Sequence, residues 1–341
     1  MRLRLSAVGI AVASLSGCFA SSIVETSNPS STVLPALEAP AYDSLGGGKV
    51  AFQRFATSAG NFRGIYVVDG GAHTVQSLLA TRALDRAAMS PTTGTVAYGA
   101  QTASGASLFD IYTSRLSDSV ETRITPGNET EQYPSWSPDG TKLLYGYRAN
   151  AATNIIRLTV AGGAKDSLIL PDSQQFGFQL DSPVSINAAN RMLVVVHASG
   201  WRIWAMDFAG TNRVLLRNDV RNDIGPIFQG AMWSPDGLKV AFLEMVYNTA
   251  DQLTTTTLKT MNPDGTGEAS IVSVAALPFA FQATALNDFS LCWLGPNRIA
   301  FSAIGNDRAS HIYVARLTPT VTLTQLTSNS GVFDRGVSCK P

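Results

Sequence analysis

A short motif returns along this chain about every 47 residues, and each copy is followed by a short apolar run. The two clearest copies are residues 136–140 (WSPDG) and 233–237 (WSPDG), which lead into 142–145 (KLLY) and 239–242 (KVAF). Weaker copies begin at Met89, Ile186 and Trp293. A repeat of roughly 40 to 50 residues that contains several short strands is typical of a propeller or a solenoid.

A sixth copy is divided between the two ends of the chain. The apolar run 49–52 (KVAF) has no motif before it, and the chain ends on 337–341 (VSCKP), which supply the missing motif position. A split repeat has a physical reason in a closed ring, where it removes the free sheet edges that would template aggregation. The sequence therefore predicts a six-bladed β-propeller in which the carboxyl-terminal strand completes blade one.

Each repeat also contains a third run of strand-forming residues. These runs are 65–70, 110–112, 156–158, 203–207, 258–262 and 312–314. Glycine and aspartate follow several of them, as at 70–71, 162–163 and 264–265, and such residues favour tight hairpins to a fourth strand. The prediction is an all-β fold with four antiparallel strands in each blade.

The Trp-Ser-Pro-Asp-Gly motif, followed by strands such as 65–70 (IYVVDG), resembles the TolB-type six-bladed propeller repeat, a PD40 (WD40-like) repeat. The resemblance covers residues 44–341. It implies a single propeller domain that acts, like the propeller of TolB, as a protein-interaction or cell-envelope scaffold module.

The amino end has the pattern of a bacterial secretion signal. Arg2 and Arg4 precede a mostly apolar stretch, and residues 15–18 (LSGC) resemble the lipoprotein box. This resemblance implies that residues 1–17 are a signal peptide and that Cys18 is lipidated; the alternative is an ordinary signal peptide with an incidental cysteine. Residues 18–43, rich in Ser, Pro, Thr and Gly, are predicted to be a flexible tether behind the lipid.

The same pattern predicts where the protein resides. Aspartate after the lipidated cysteine favours inner-membrane retention in lipoproteins, and this chain has Phe19 at that position. We expect a protein of the bacterial cell envelope, anchored through Cys18 to the outer membrane and facing the periplasm. More than one acyl chain makes such anchoring stable.

Charge excludes two classes of partner. Removal of Arg2 and Arg4 with the signal leaves 23 basic residues (25 − 2) against 25 acidic ones, a net charge of −2. Charged residues form 15% of the chain and no basic cluster occurs in the sequence, which argues against a nucleic-acid-binding face or a polybasic membrane patch. We expect a monomer whose membrane contact is the lipid anchor.

Two further cysteines lie in neighbouring repeats at positions that differ by one residue in register. Cys292 lies one position before Trp293, and Cys339 occupies the motif position in the closing strand. Because side chains alternate along strands, the two either face each other across the closure or both point away. A disulfide between them would lock the ring; the alternative is two buried thiols.

Long connections are expected to share one face of the propeller, since connections alternate between the two ends of an antiparallel blade. The predicted long segments are 53–63, 99–108, 171–179, 218–230, 244–256 and 273–287. Binding residues are frequent on such loops. The most apolar of them contains a candidate partner patch, Leu277, Pro278, Phe279 and Phe281; the alternative is a loop folded onto its own blade.

Acidic residues recur four or five positions before the motif. They are Asp85, Glu131, Asp181, Asp288 and Asp334. We expect them to rim the central channel on the long-loop face. The family resemblance implies that they bond backbone groups between blades, and the alternative is that converging carboxylates bind a cation or a ligand.

Catalytic arrangements are not evident in the sequence. The three histidines, His73, His197 and His311, fall in different blades, and no metal-ligand spacing, nucleophile elbow or phosphate loop is present. We therefore predict a non-enzymatic interaction module with no cofactor and no metal, whose partner is another envelope protein or a cell-wall component. The alternative is a binder or enzyme acting on a small molecule or carbohydrate at the channel mouth.

Overall fold

The computed structural model describes residues 37–55, 62–78, 84–102, 108–127, 129–149, 152–169, 179–180, 183–197, 200–218, 227–248, 252–275 and 290–340. Within these ranges the regular secondary structure is β-strand, apart from one short 3-10 turn at Tyr42–Leu45. The strands are β1 (Lys49–Phe55), β2 (Phe62–Asp69), β3 (Thr74–Leu78), β4 (Leu84–Met89), β5 (Thr95–Gln101), β6 (Phe109–Arg115), β7 (Glu121–Arg123), β8 (Thr130–Trp136), β9 (Lys142–Ala149), β10 (Ala152–Thr159), β11 (Lys165–Ile169), β12 (Gln179–Leu180), β13 (Ser185–Ile186), β14 (Arg191–His197), β15 (Trp201–Asp207), β16 (Val214–Asn218), β17 (Ile227–Trp233), β18 (Val240–Tyr247), β19 (Leu253–Met261), β20 (Ala269–Ala275), β21 (Leu291–Trp293), β22 (Arg298–Ile304), β23 (Ser310–Arg316), β24 (Thr322–Gln325) and β25 (Phe333–Lys340). An all-β fold is confirmed.

Four sheets are separate antiparallel blades built from consecutive strands. They are β4–β7, β8–β11, β12–β16 and β17–β20, and in the third of these the first strand is divided into β12 and β13. We call them units two to five. The predicted pattern of four antiparallel strands per blade is confirmed in these units, and the structure separates four blades where the sequence predicted six.

The remaining strands form one eight-stranded sheet. It consists of β21–β24, here unit six, and of β25 with β1–β3, here unit one. A single parallel bridge between Ser310 and Phe333 joins the two sets, and all other pairings within each set are antiparallel. Unit one therefore takes its first strand from the carboxyl terminus.

Pairing of the two chain ends is confirmed. Strand β25 runs antiparallel to β1, with Cys339 opposite Val50 and Lys340 opposite Lys49. The inner strands then contact one another in cyclic order: β25 with β4, β4 with β8, β13 with β17, β17 with β21 and β21 with β25, while β10 contacts β12 between units three and four. The arrangement is propeller-like, with no free edge at the chain ends.

The repeated motif forms a turn in which side-chain oxygens accept hydrogen bonds from backbone N–H groups. The Oγ of Ser137 accepts from the N–H of Lys142 and donates to Asp139, whose carboxylate also accepts from the N–H of Thr141. Gly140 closes the turn at φ +70°, a conformation that favours glycine. Ser234, Asp236 and Gly237 form the same turn in unit five.

The most degenerate copy keeps this geometry with different residues. Asn187 accepts hydrogen bonds from the N–H groups of Ala189 and Arg191, and its own N–H donates to the carbonyl of Arg191. Asn190 takes the left-handed position at φ 56°. An asparagine side chain can thus perform the work of the Ser-Asp pair, because it accepts hydrogen bonds from its own downstream backbone.

A β-bulge interrupts the first strand of several units. Tyr133, Gly230 and Gly336 have φ of 59°, 65° and 66°, and each lies three residues before the motif position of its strand. The strand register shifts at each of these points. The bulge bends the innermost strand, as bulges do at the rims of closed sheets.

The apolar core lies between neighbouring units. Leu144 of unit three packs with Met192 and Val194 of unit four, and the other interfaces have similar clusters of buried residues. At the junction of units one and six, Phe52 packs with Ile312. Since full burial of one such side chain contributes roughly 1.5–3 kcal/mol, contacts between units supply much of the stability.

Residues before the first strand cover this junction. Leu45 is buried in the cluster between units one and six, and Leu37 and Tyr42 pack against it. The N–H of Glu38 donates to the side chain of Asn329. Packing against the propeller thus begins before the predicted boundary at Ser44.

The described residues contain no helix with the length and apolarity needed to cross a bilayer.

Connections fall on two faces. The short-turn face carries the turns 137–141, 187–190 and 234–239, and the loop face carries the described connections 124–127, 305–309 and 326–332. Some predicted loops are shorter than expected. The segment 244–256 is mostly paired strand, because β18 and β19 extend to a five-residue connection that Asn248 and Gln252 close with mutual hydrogen bonds.

Candidate functional site

Two of the five predicted acidic residues have described side chains. Asp334 and Glu131 are both buried near the loop-face ends of first strands. Asp85 lies on β4, where only its backbone is described, and Asp181 and Asp288 lie outside the described residues. The structure therefore shows two members of the set, in units one and three.

Asp334 is fully paired. Its two carboxylate oxygens accept hydrogen bonds from Nε and Nη2 of Arg54 at 2.7 and 2.8 Å, and both side chains are 0% exposed. The guanidinium also lies over the rings of Phe52 and Tyr66, 6.0 and 5.0 Å from their centroids. Two parallel bonds to a buried guanidinium satisfy the carboxylate, so this acid faces an arginine of its own chain and is not an open rim position.

Glu131 has no such cation opposite it. The residue is 4% exposed and pairs across the strands with Tyr147. Its Oε2 atom is buried without a partner among the hydrogen bonds of the described residues, and so is Oδ1 of Asp110 in unit two. The two carboxyl groups interact closely enough that the negative charge of Asp110 disfavours a second negative charge on Glu131.

Burial is the main reason why the pKa of Glu131 is raised to about 7, and the negative charge of Asp110 adds to it. Lys165 and the hydroxyl of Thr125 act in the opposite direction. The other oxygen of Asp110 accepts hydrogen bonds from the guanidinium of Arg123. Asp110 is thus bonded to a guanidinium, whereas Glu131 is partly protonated near neutral pH.

A cleft of about 400 Å³ adjoins Glu131. It is lined by one side of unit three together with the connection from unit two, including Glu129, Tyr145, Tyr147, Ile156 and Lys165. Burial raises the pKa of the Tyr145 hydroxyl, and burial together with Glu129 raises that of Tyr147, so both are neutral phenols at physiological pH. The cleft is thus lined by the carboxyl group of Glu131 and by the rings of Tyr145 and Tyr147.

The two internal cysteines are bonded to each other in the structure. Cys292 of β21 and Cys339 of β25 form a disulfide with a Cα–Cα distance of 5.4 Å. The sequence left two arrangements open, and the structure has the one in which the side chains face each other. The bond links unit six to unit one at the junction of the chain ends.

Histidines do not assemble into a site within the described residues. His311 is buried and bonded to Asp307 at 2.8 Å, whereas His73 stacks on Tyr42 in the turn after β2, and His197 ends β14. They belong to units six, one and four. In the described ranges no three His, Cys, Asp or Glu side chains are grouped so as to hold a metal ion.

Two predicted features lie outside the described residues: the lipidation site Cys18 and the patch Leu277, Pro278, Phe279 and Phe281.

A second cleft, of about 480 Å³, lies where residues 40–44 cover the junction of units one and six. His73, Arg298 and Arg316 line it.

Comparison with known proteins identifies the fold. No protein-family model and no curated protein sequence matches the chain. Among solved structures, TolB from Acinetobacter baumannii superposes with a TM-score of 0.63 at 14% identity, over 86% of this chain and 67% of that one. This chain has a TolB-like propeller fold.

Other solved structures share it. A putative TolB from Agrobacterium tumefaciens has a TM-score of 0.50 at 14% identity, over 80% of this chain and 99% of that one. A chain of a nidogen/laminin complex has a TM-score of 0.59 at 9% identity, over 86% of this chain and 99% of that one. At such identities the likeness defines the fold alone.

Proposed function

We propose that this chain is a lipid-anchored, six-bladed propeller of the bacterial cell envelope that binds another envelope protein through its loop face. The observation that supports it most is the TolB-like fold, found in a chain whose first residues resemble a lipoprotein signal ending at Cys18. The anchor would hold the propeller at the outer membrane, facing the periplasm.

The count of six blades follows if the eight-stranded sheet is treated as two blades. Units six and one each contain four strands in the same order as units two to five. One bridge, from Ser310 to Phe333, joins them, whereas adjacent strands within each blade share longer ladders. The cluster around Phe52 and Ile312 also packs between them like the clusters at the other interfaces.

An interaction role is also favoured by how the chemical groups are used. The buried ion pair Arg54–Asp334 and the disulfide Cys292–Cys339 both connect strands of the scaffold. The three histidines are distributed over separate units. The loop face carries the connections 124–127, 305–309 and 326–332, the first of which borders the cleft beside Glu131, and rigid scaffolds usually present binding residues on such connections.

Site-specific photocrosslinking in intact cells tests the proposal. A photoreactive phenylalanine analogue is placed at Asn306 or at Ser328, exposed residues of two loop-face connections. Leu238, 66% exposed in a turn of the short-turn face, is the control position. We expect one envelope protein to crosslink from both loop-face positions and not from Leu238. Equal crosslinking from all three positions, or no reproducible product, would contradict the proposal.

A further inference from the structure

Glu131 and Asp334 hold the same position in two copies of the repeat. Each lies five residues before the motif position of its strand, and each faces the second strand of its own unit near the loop face. The partner across the strands is Arg54 in unit one and Tyr147 in unit three. One acid is therefore supplied with a guanidinium by its own chain, and the other is not.

Unit one shows what such a position accommodates. The guanidinium of Arg54 forms two bonds with Asp334 and lies over Phe52, an aromatic residue two positions earlier on the same strand. Unit three keeps the aromatic residue, because Tyr145 corresponds to Phe52 in the strand register. Tyr145 lines the cleft together with Glu131. Unit three thus has the acid and the aromatic wall but Tyr147 in place of the arginine, and the cation that lines its cleft is the ammonium of Lys165.

We propose that the cleft beside Glu131 binds the guanidinium group of an arginine side chain presented by a partner protein. The bound guanidinium would meet the carboxylate of Glu131 and lie against Tyr145, in the manner of Arg54 in unit one. Planar guanidinium groups suit both contacts, since they bond carboxylates with two parallel N–H groups and stack on aromatic faces. This deepens the proposed function by naming the group that the loop face recognises.

The charges around the cleft agree with a single positive group. Glu131 is faced by Asp110 on β6, by Glu129 in the connection before β8 and by Lys165 on β11, and Arg123 on β7 bonds Asp110. Asp166 on β11 also lines the cleft, and Arg157 on β10 bonds this carboxylate. With Glu131 ionised, four carboxylates face three cations. One positive charge is therefore needed to balance the carboxylates around the cleft. The proton that Glu131 holds through its raised pKa supplies this charge.

Binding should therefore release a proton. Glu131 with a pKa near 7 is largely protonated at pH 6, and a guanidinium next to it stabilises the carboxylate, so the O–H proton leaves to the buffer. No other bond changes. Heats of binding measured in buffers with different ionisation enthalpies report this released proton.

Isothermal titration calorimetry of the purified protein tests the inference. The probe is Nα-acetyl-L-arginine-N-methylamide, and the matched neutral ligand is Nα-acetyl-L-citrulline-N-methylamide, which has the same shape without the charge. We expect saturable binding of the arginine probe with a Kd on the order of 1 mM, no measurable binding of the citrulline probe, and buffer-dependent heats at pH 6. Equal binding of both probes would refute the inference.

Three variants locate the binding. Glu131→Gln should weaken binding of the arginine probe at least tenfold and abolish the buffer dependence. Asp118→Asn, an exposed acid in the short-turn face of unit two, removes a charge elsewhere and should leave binding unchanged. Lys165→Met removes a competing cation at the cleft and should tighten binding. Unchanged affinity in Glu131→Gln, or weaker affinity in Lys165→Met, would overturn the assignment.

These measurements use only the purified chain and a small probe. A partner captured by crosslinking with no arginine binding would leave the proposed function standing and remove the inference. Arginine binding with no captured partner would support the arginine site and contradict the proposed function.

Discussion

At the scale of single residues, the proton on Glu131 links stability to pH. The folded-state pKa of about 7 lies above the ordinary value of 4.5, so the folded protein holds this proton more tightly than the unfolded chain. The resulting stabilisation is fully present below about pH 4.5 and is lost as pH rises through 7. We expect the free energy of unfolding of the wild type, relative to Glu131→Gln, to fall by at most about 3 kcal/mol between pH 4.5 and pH 8. Urea unfolding of both proteins across this pH range measures the difference, and Asp118→Asn is the control for net charge. If the unfolding free energies of wild type and Glu131→Gln depended on pH in the same way, the pKa of Glu131 would not be raised in the folded protein.

At the scale of elements, strand β25 depends on its bulge. Gly336 has φ +66°, and a Cβ there would lie 2.7 Å from Oε1 of Gln53. Gly331 just before the strand has φ +69° with nothing within 4 Å of its Cβ position. Both alanine variants should lose about 1–2 kcal/mol through the left-handed backbone, and Gly336→Ala should lose more because buried Gln53 must move. Chemical denaturation of the two variants compares them; equal losses would mean that the contact with Gln53 is without consequence.

The sequence predicted the secondary-structure elements and their pairing better than it predicted the site. The repeat predicted the four-stranded pattern of the blades and the pairing of the chain ends beside Val50, because hydrophobic spacing and Ser-Pro-Asp-Gly turns are local signals. The bulge at Tyr133, Gly230 and Gly336 shares a fixed distance from the motif, but glycine occurs at only two of these positions.

The site was less predictable, because its energetics depend on neighbours that are distant in sequence. The acids at Glu131 and Asp334 were found from their spacing alone. Their contrasting environments were not, since Arg54 lies 280 positions from Asp334, and the carboxyl group facing Glu131 belongs to Asp110 of another unit. An alignment of the second strands of the repeats would have shown arginine at one position and tyrosine at the other.

At the scale of the whole molecule, stability depends on closure at the junction of units one and six. Strand β25 supplies the pairing for β1, the partner of the buried Arg54 and one half of the disulfide with Cys292. Deleting residues 332–341 would leave Arg54 buried without a carboxylate and β1 as an open edge, both of which are costly. We expect the truncated protein to unfold or to oligomerise. The double variant Cys292→Ser/Cys339→Ser keeps β25 and should remain monomeric with a loss of about 2–4 kcal/mol. Light scattering after gel filtration, together with denaturant unfolding, separates these results. If the truncated chain were monomeric and unfolded at the same denaturant concentration as the intact one, closure by β25 would not be what holds the propeller together.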